Sequence, residues 1–125
     1  MQLVIAPRAR TDIANILDWT LEHFGPQLMH RYRELMQTAI EAVAANPELA
    51  GSAGRPEIAE NCRTYHLFHS RKDAGTRGNR VRNPRHFLLY RVPATGVVEI
   101  GRVLHDSMDL EQHLPAEYRQ QGGSR

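Results

Sequence analysis

Residues 7–47 read PRARTDIANILDWTLEHFGPQLMHRYRELMQTAIEAVAANP, and this stretch carries the clearest structural pattern in the chain. Apolar side chains recur in it at helical spacing, which predicts one helix over 7–23 and a second over 27–45. The pair Gly25-Pro26 can cap the first helix and open the second. The second helix ends before Pro47, because the residue that precedes a proline avoids helical geometry. So short a connection predicts two antiparallel helices, that is, a helical hairpin.

Strand-like segments lie on both sides of the predicted hairpin. Strands are predicted over 2–6, 62–69, 86–92 and 97–105, with a loop over 47–61 and a turn of hairpin length over 93–96. A short helix up to Leu114 and a frayed tail over 119–125 follow. The order β-α-α-β-β-β predicts an α+β domain over residues 1–118, in which the helix hairpin packs on a small antiparallel sheet.

Length and composition set the class of protein. The chain has 125 residues, of which 41% are hydrophobic and 24% charged, and these values are ordinary for one globular domain. No apolar run approaches the roughly 20 residues that cross a bilayer, so no membrane partner is expected. The single cysteine, Cys62, excludes an internal disulfide and fits a reducing cytoplasm.

The positive charge is concentrated in one predicted loop. Residues 61–125 carry 11 basic and 6 acidic side chains, and the loop over 70–85 alone has six basic side chains and one acid. The basic residues of this loop are Arg71, Lys72, Arg77, Arg80, Arg82 and Arg85. Loops of this length inside a domain are usually functional or disordered, and the arginine fork suits phosphate. The loop is therefore either a contact for nucleic acid or an acidic protein target, or a solvated insertion.

Arginines on the last two strands form a second candidate site. Strand alternation places Arg102 on the same face as Val98 and Ile100, and an unpaired arginine is not stable in a core. Arg102 either lies at the rim of a cleft with Arg91, where His105 could act as a general acid or base, or pairs with a carboxylate of the helices. The carboxylates open to it are Asp12, Asp18 and Glu22, and in that second reading His105 hydrogen-bonds Asp109.

No metal or other cofactor is expected from the sequence. Cys62, His66 and His69 have zinc-like spacing, but on a strand His69 points to the opposite face from the other two.

The predicted helices offer candidate residues for binding a protein partner. Met29, Met36 and Ile40 form a second apolar row on the second helix, which is either adaptable surface for another protein or packs on the first helix. Trp19 is either packing or partner surface.

These segments together resemble the RelE/ParE superfamily of toxins from type II toxin–antitoxin modules, and the ParE branch in particular. The resemblance rests on LVIAPRARTDIANI (3–16), WTLEHFG (19–25), Asn46-Pro47, HFLLYR (86–91) and VEIGRVLHDSMDLEQHL (98–114). It implies the same β-α-α-β-β-β fold. It also implies a cognate antitoxin that wraps the toxin in a hetero-oligomer, so Trp19, Met29, Met36 and Ile40 are the expected antitoxin-binding residues. The long basic loop over 70–85 departs from the family, which usually has a short turn there.

Two activities follow from the resemblance and remain open. A ParE-like protein is a non-enzymatic toxin that binds and inhibits DNA gyrase. A RelE-like protein is a metal-independent endoribonuclease that cleaves mRNA on the ribosome, and Arg91, Arg102 and His105 would then be its catalytic residues. In the ribonuclease, the two arginines would stabilise the anionic transition state and His105 would serve the 2′-hydroxyl attack as base or acid. The near absence of lysine favours the gyrase inhibitor.

Overall fold

The structure of the chain is a computed structural model, and it describes residues 2–75, 80–108, 110–115 and 118. The predicted tail over 119–125 therefore lies outside the described residues. Within the described part, neither helix combines the length and the apolar character that a membrane span requires.

The helix hairpin forms as predicted, to within one residue at each end. Helix α1 is Pro7–Phe24 and helix α2 is Pro26–Ala45, each with a proline in its first turn. Gly25 joins them with a φ of +88°, in the left-handed region that favours glycine. The Asn46 N–H closes α2 on the Ala42 carbonyl at 3.0 Å.

Five strands form one sheet. They are β1 (Leu3–Ile5), β2 (Ser52–Gly54), β3 (Cys62–His66), β4 (His86–Arg91) and β5 (Val98–His105), in the spatial order β1-β5-β4-β3-β2. The pairs from β2 to β5 are antiparallel, whereas β1 runs parallel to β5 with Leu3 opposite Val98. The sheet is therefore mixed, and the prediction of an antiparallel sheet is wrong at this edge. The partner and direction of an edge strand depend on long-range contacts, which local periodicity does not encode.

Three shorter segments also differ from the sequence prediction. Strand β2 lies inside the predicted loop over 47–61. The strand predicted over 62–69 ends at His66, because the His66 side chain caps a 3₁₀ helix, Leu67–Ser70, by accepting the Phe68 N–H. The short C-terminal helix is a single 3₁₀ turn, Leu110–His113.

The main core lies between the hairpin and one face of the sheet. Helix α2 contributes the buried residues Tyr32, Leu35, Met36, Ala39, Ile40 and Val43. The sheet contributes Tyr65, Leu88, Tyr90, Val98, Ile100 and Val103. Full burial of a leucine or valine side chain stabilises the fold by roughly 1.5–3 kcal/mol, so this face of α2 fixes the hairpin on the sheet.

A β-bulge in β5 changes which side chains face that core. Leu89 lies opposite Arg102 whereas Tyr90 lies opposite Ile100, so Gly101 is the extra residue. A Cβ at Gly101 would lie 2.8 Å from the Tyr118 hydroxyl, which leaves room only for glycine. The bulge reverses the alternation beyond it. The sequence predicted that Arg102 would share the face of Val98 and Ile100, and this prediction is wrong. Arg102 lies on the opposite face, and Val103 takes the core position instead.

Candidate functional site

An apolar groove of about 560 Å³ lies where the two helices meet the segment before β4 and the turn after β5. Its lining residues are Asn15, Ile16, Trp19, Thr20, Phe24, Leu28, Tyr32, Val81, Asn83, Arg85, His86, His105, Ser107 and Met108. This volume is typical of sites that bind small molecules or hold side chains of a partner. We refer to it below as the helix–loop groove.

Exposed aromatic side chains form the helix side of the groove. Trp19 is 54% exposed and Phe24 is 59% exposed. The Trp19 ring stacks on His23 with centroids 4.2 Å apart, and His23 Nδ1 donates to the Trp19 carbonyl at 2.8 Å. Met108 is 46% exposed on the other side of the groove. Large apolar side chains grouped at one exposed site are typical of protein interaction surfaces.

A row of three imidazoles crosses the ends of the three central strands, from His66 on β3 through His86 on β4 to His105 on β5. His86 lies opposite His105 in the sheet register, and their rings meet edge to face at 5.2 Å. Backbone N–H groups of Phe68 and Ser107 donate to the Nδ1 atoms of His66 and His105 at 3.0 and 3.1 Å. A backbone N–H can only donate, so the neutral forms of both rings carry their proton on Nε2.

The middle imidazole is bound to the second helix. The Tyr32 hydroxyl accepts the Arg85 backbone N–H at 3.2 Å and forms a hydrogen bond of 2.6 Å with His86 Nδ1. Burial lowers the pKa of His86 to about 4, and the neighbouring His105 adds to this effect. Burial also raises the pKa of Tyr32 to about 12. His86 is therefore uncharged at neutral pH and serves the groove as a polar, not a cationic, residue.

Asp106 connects the row to the segment before β4. Its carboxylate accepts Arg85 Nε at 3.0 Å and His66 Nε2 at 3.1 Å, and its N–H donates to the Arg85 carbonyl at 2.8 Å. The hydrogen bond from Arg85 lowers the pKa of Asp106 to about 2, with a smaller contribution from His66. The pair is largely solvent-exposed and adds little stability, but it fixes Arg85 at the mouth of the groove.

Arg102 is held by a helix carboxylate, which is one of the alternatives that the sequence left open. Asp12 Oδ2 accepts Arg102 Nε at 2.7 Å, and Asp12 Oδ1 accepts Nη2 at 3.0 Å. Asp12 Oδ2 also accepts the Val103 N–H at 2.9 Å, and Arg102 Nη1 donates to the His113 carbonyl. This pair joins α1 to β5 beyond the three residues that β1 covers.

The structure places the other two predicted catalytic residues in separate settings. Arg91 pairs with Glu99 at 3.0 Å and lies over the Tyr118 ring, 4.8 Å from its centroid. His105 lines the helix–loop groove and bonds to Ser107, while Asp109, its partner in the sequence analysis, lies outside the described residues. The two arginines are thus each neutralised by a different carboxylate and do not converge on one anion site.

The predicted antitoxin-binding residues divide into surface and core. Trp19 is exposed in the groove and Met29 is half-buried. Met36 and Ile40 are only 2% and 7% exposed, and both belong to the main core. Of the two alternatives that the sequence left open for this row, Met36 and Ile40 follow the second and are packed inside the fold, whereas Met29 stays partly exposed.

The basic loop over 70–85 is placed beside the groove in its described part. Val81, Asn83 and Arg85 line the groove. Arg80 and Arg82 are exposed between and beside them, Lys72 is exposed, and Arg71 is half-buried over the Phe68 ring at 3.9 Å. Arg77 lies outside the described residues.

Within the described ranges, no cluster of three or more histidine, cysteine or acidic side chains has a geometry that could hold a metal ion. Burial raises the pKa of Cys62 to about 11, so its thiol is neither a nucleophile nor a ready metal ligand at neutral pH.

The sequence did not identify Tyr32, His66, His86 and Asp106 as hydrogen-bonded residues of this site. The one signal for such a site was that histidines stood at the ends of neighbouring predicted strands. Their meeting depends on register, however, and register is not readable from one sequence.

Comparison with known proteins places this fold in a family. The family model described as "ParE toxin of type II toxin-antitoxin system, parDE" matches residues 3–110. Toxin ParE1 of Caulobacter vibrioides is 32% identical over 110 residues, which cover 88% of this chain and 94% of that protein. Toxin ParE1 of Mycobacterium tuberculosis is 28% identical over 111 residues, which cover 89% of this chain and 95% of that protein.

The fold itself has a solved counterpart. A structure described as "Chromosomal ParDE TA system from P. aeruginosa" superposes with a TM-score of 0.54 at 21% identity, over 84% of this chain and 95% of that one. The residues matched by the family model include both helices and all five described strands. This chain therefore belongs to the ParE family of toxins from type II toxin–antitoxin systems.

Proposed function

We propose that the chain acts by binding and inhibiting DNA gyrase, and that a cognate antitoxin binds it and blocks this activity. The observation that carries the proposal is the family match over residues 3–110, which takes in the whole hairpin and sheet. Gyrase inhibition is the activity implied by the resemblance to the ParE branch. It requires binding alone and no catalytic group.

Both strand arginines are held in ion pairs, which supports an inhibitor that acts by binding rather than a ribonuclease. Metal-independent RNA cleavage needs cations that are preorganised around the phosphate on which negative charge develops. Arg102 is instead bound to Asp12, with only 9% of its side chain exposed, and Arg91 is bound to Glu99. Either arginine would have to leave its carboxylate before it could stabilise a phosphorane-like transition state.

The helix–loop groove supports a protein partner. Trp19 and Phe24 expose more than half of their surface, next to a concave apolar site. Aromatic side chains at the rim of a groove are typical anchors of protein interfaces. The antitoxin is the partner that covers such a surface in the proposed module.

Plasmid topology in cells tests the proposal. Induction of the chain should slow growth and leave a reporter plasmid relaxed, because inhibited gyrase no longer introduces negative supercoils. Co-induction of the cognate antitoxin should restore both growth and supercoiling. Growth arrest with normally supercoiled plasmid, accompanied by codon-phased cuts in mRNA, would instead establish the ribonuclease.

A further inference from the structure

One wall of the helix–loop groove is built by the segment 80–85, which belongs to the basic insertion. Val81, Asn83 and Arg85 line the groove, and alternation along the segment leaves Arg80 and Arg82 exposed beside it. Arg71 Nη1 donates to the Arg82 carbonyl at 3.4 Å, and Asp106 accepts two hydrogen bonds from Arg85. These contacts connect the segment to Arg71 and to the turn after β5, which places its charges beside the groove.

The guanidinium groups of Arg80 and Arg82 are not neutralised by a carboxylate among the described residues. Neither forms an ion pair with any carboxylate in the described ranges, whereas Arg85 has Asp106. Exposed charges act over about 8–10 Å at physiological ionic strength, which is enough to reach a ligand lying on Val81. They are available to an occupant of the groove.

Helix α1 forms another part of the groove. Helix α1 lines the groove with the uncharged side chains of Asn15, Ile16 and Trp19. Asp18 and Glu22 are exposed on the same helix beside them. The lining of the groove is thus largely apolar and contains no acidic residue, and its charged side chain is Arg85 of the segment 80–85.

We propose that the segment 80–85 is a specificity element, which selects a partner segment carrying large apolar side chains in the groove and carboxylates along the basic wall. The proposal rests on the proposed function in one respect, that the occupant is a protein, the antitoxin. A nucleic acid fits less well, because the surface of the lining is largely apolar. Complementary charge at an interface chiefly sets which partner binds and how fast.

Synthetic peptides test the selection directly. Two fluorescent 16-residue amphipathic helices share leucine and phenylalanine at helical spacing and differ only in flanking glutamate or lysine, and a single-stranded oligonucleotide is the third probe. The glutamate peptide should bind the full chain about tenfold more tightly than the lysine peptide, with the difference shrinking in high salt. The double variant Arg80→Glu and Arg82→Glu should reverse that preference.

Two further variants locate the site. Trp19→Ala should weaken the glutamate peptide roughly 10- to 30-fold, because a central aromatic anchor is lost. The double variant Arg8→Glu and Arg55→Glu changes net charge by the same amount outside the groove lining and should leave the preference intact. Equal affinity for both peptides, an unchanged preference after charge reversal at 80 and 82, or binding of the oligonucleotide alone would overturn the proposal.

The natural antitoxin separates this inference from the proposed function. If the cognate antitoxin fails to bind the wild-type chain, the proposed function is at fault. If it binds the wild type but binds the Arg80→Glu, Arg82→Glu variant equally well, only the specificity element is wrong. The expected result is antitoxin binding at least tenfold weaker for that variant than for the wild type.

Discussion

Replacement of Asp12 by alanine should destabilise the fold more than an ordinary surface substitution. The Asp12 carboxylate accepts two hydrogen bonds from Arg102, at 2.7 and 3.0 Å, and one from the Val103 N–H at 2.9 Å. Only 13% of the Asp12 side chain and 9% of the Arg102 side chain are exposed. Asp12→Ala therefore leaves a buried guanidinium without its counter-ion and an edge N–H without its acceptor.

The expected loss is about 3–5 kcal/mol of unfolding free energy, the usual range for a buried ion pair that loses one partner. For a domain of this size the loss corresponds to a decrease in Tm of roughly 10–20 °C. Urea denaturation followed by circular dichroism measures it, provided that the m-value is unchanged. Asp18→Ala is the matched control on the exposed side of the same helix and should change stability by less than about 0.5 kcal/mol.

The double variant Asp12→Ala, Arg102→Met makes the test specific. Because it removes the buried cation together with its partner, the double variant should be more stable than Asp12→Ala alone. The reasoning is refuted if Asp12→Ala lies within about 1 kcal/mol of the wild type. It is also refuted if the two substitutions are simply additive, since the ion pair would then contribute nothing as a pair.

Three more predictions concern pH, packing and the groove. The pKa of His86 is lowered from 6.5 to about 4, so the folded state disfavours the charged form of this side chain. The free energy of unfolding should therefore fall by up to roughly 3 kcal/mol as the pH drops from about 6.5 towards 4. In urea denaturation at a series of pH values, His86→Asn should flatten that part of the profile. Gly101→Ala should destabilise by about 1–3 kcal/mol, because its Cβ would lie 2.8 Å from the Tyr118 hydroxyl, and an unchanged Tm would refute this packing. Trp19→Ala should change unfolding free energy by less than about 0.5 kcal/mol while it abolishes tight antitoxin binding; a strongly destabilised variant would mean that Trp19 belongs to the core.

The helix hairpin was predictable because residues at the helix ends themselves specify where each helix begins and ends. Gly25-Pro26 supplies the turn and Pro47 supplies the stop, and each acts within a residue or two of itself. The parallel pairing of β1 with β5 joins Leu3 to Val98 across almost the whole chain. No local pattern specifies a contact of that separation, so the sequence did not predict a parallel strand at this edge of the sheet.

The candidate site was predictable only in part, for the same reason. Alternation along β5 failed at Gly101, because one inserted residue moves every later side chain to the other face. The predicted helices still offered three carboxylates as partners of Arg102, and Asp12 is the one that it contacts. Met36 and Trp19 show the limit of helical spacing, which identifies an apolar row but does not say whether that row is covered.

Supercoiling of relaxed plasmid by purified gyrase tests the central claim most directly. The purified chain, added in increasing amounts, should stop the appearance of supercoiled product, and prior incubation with the cognate antitoxin should restore it. Inhibition by the Arg80→Glu, Arg82→Glu variant should be relieved less by the antitoxin than inhibition by the wild type. Full gyrase activity at a large molar excess of folded chain would contradict the account.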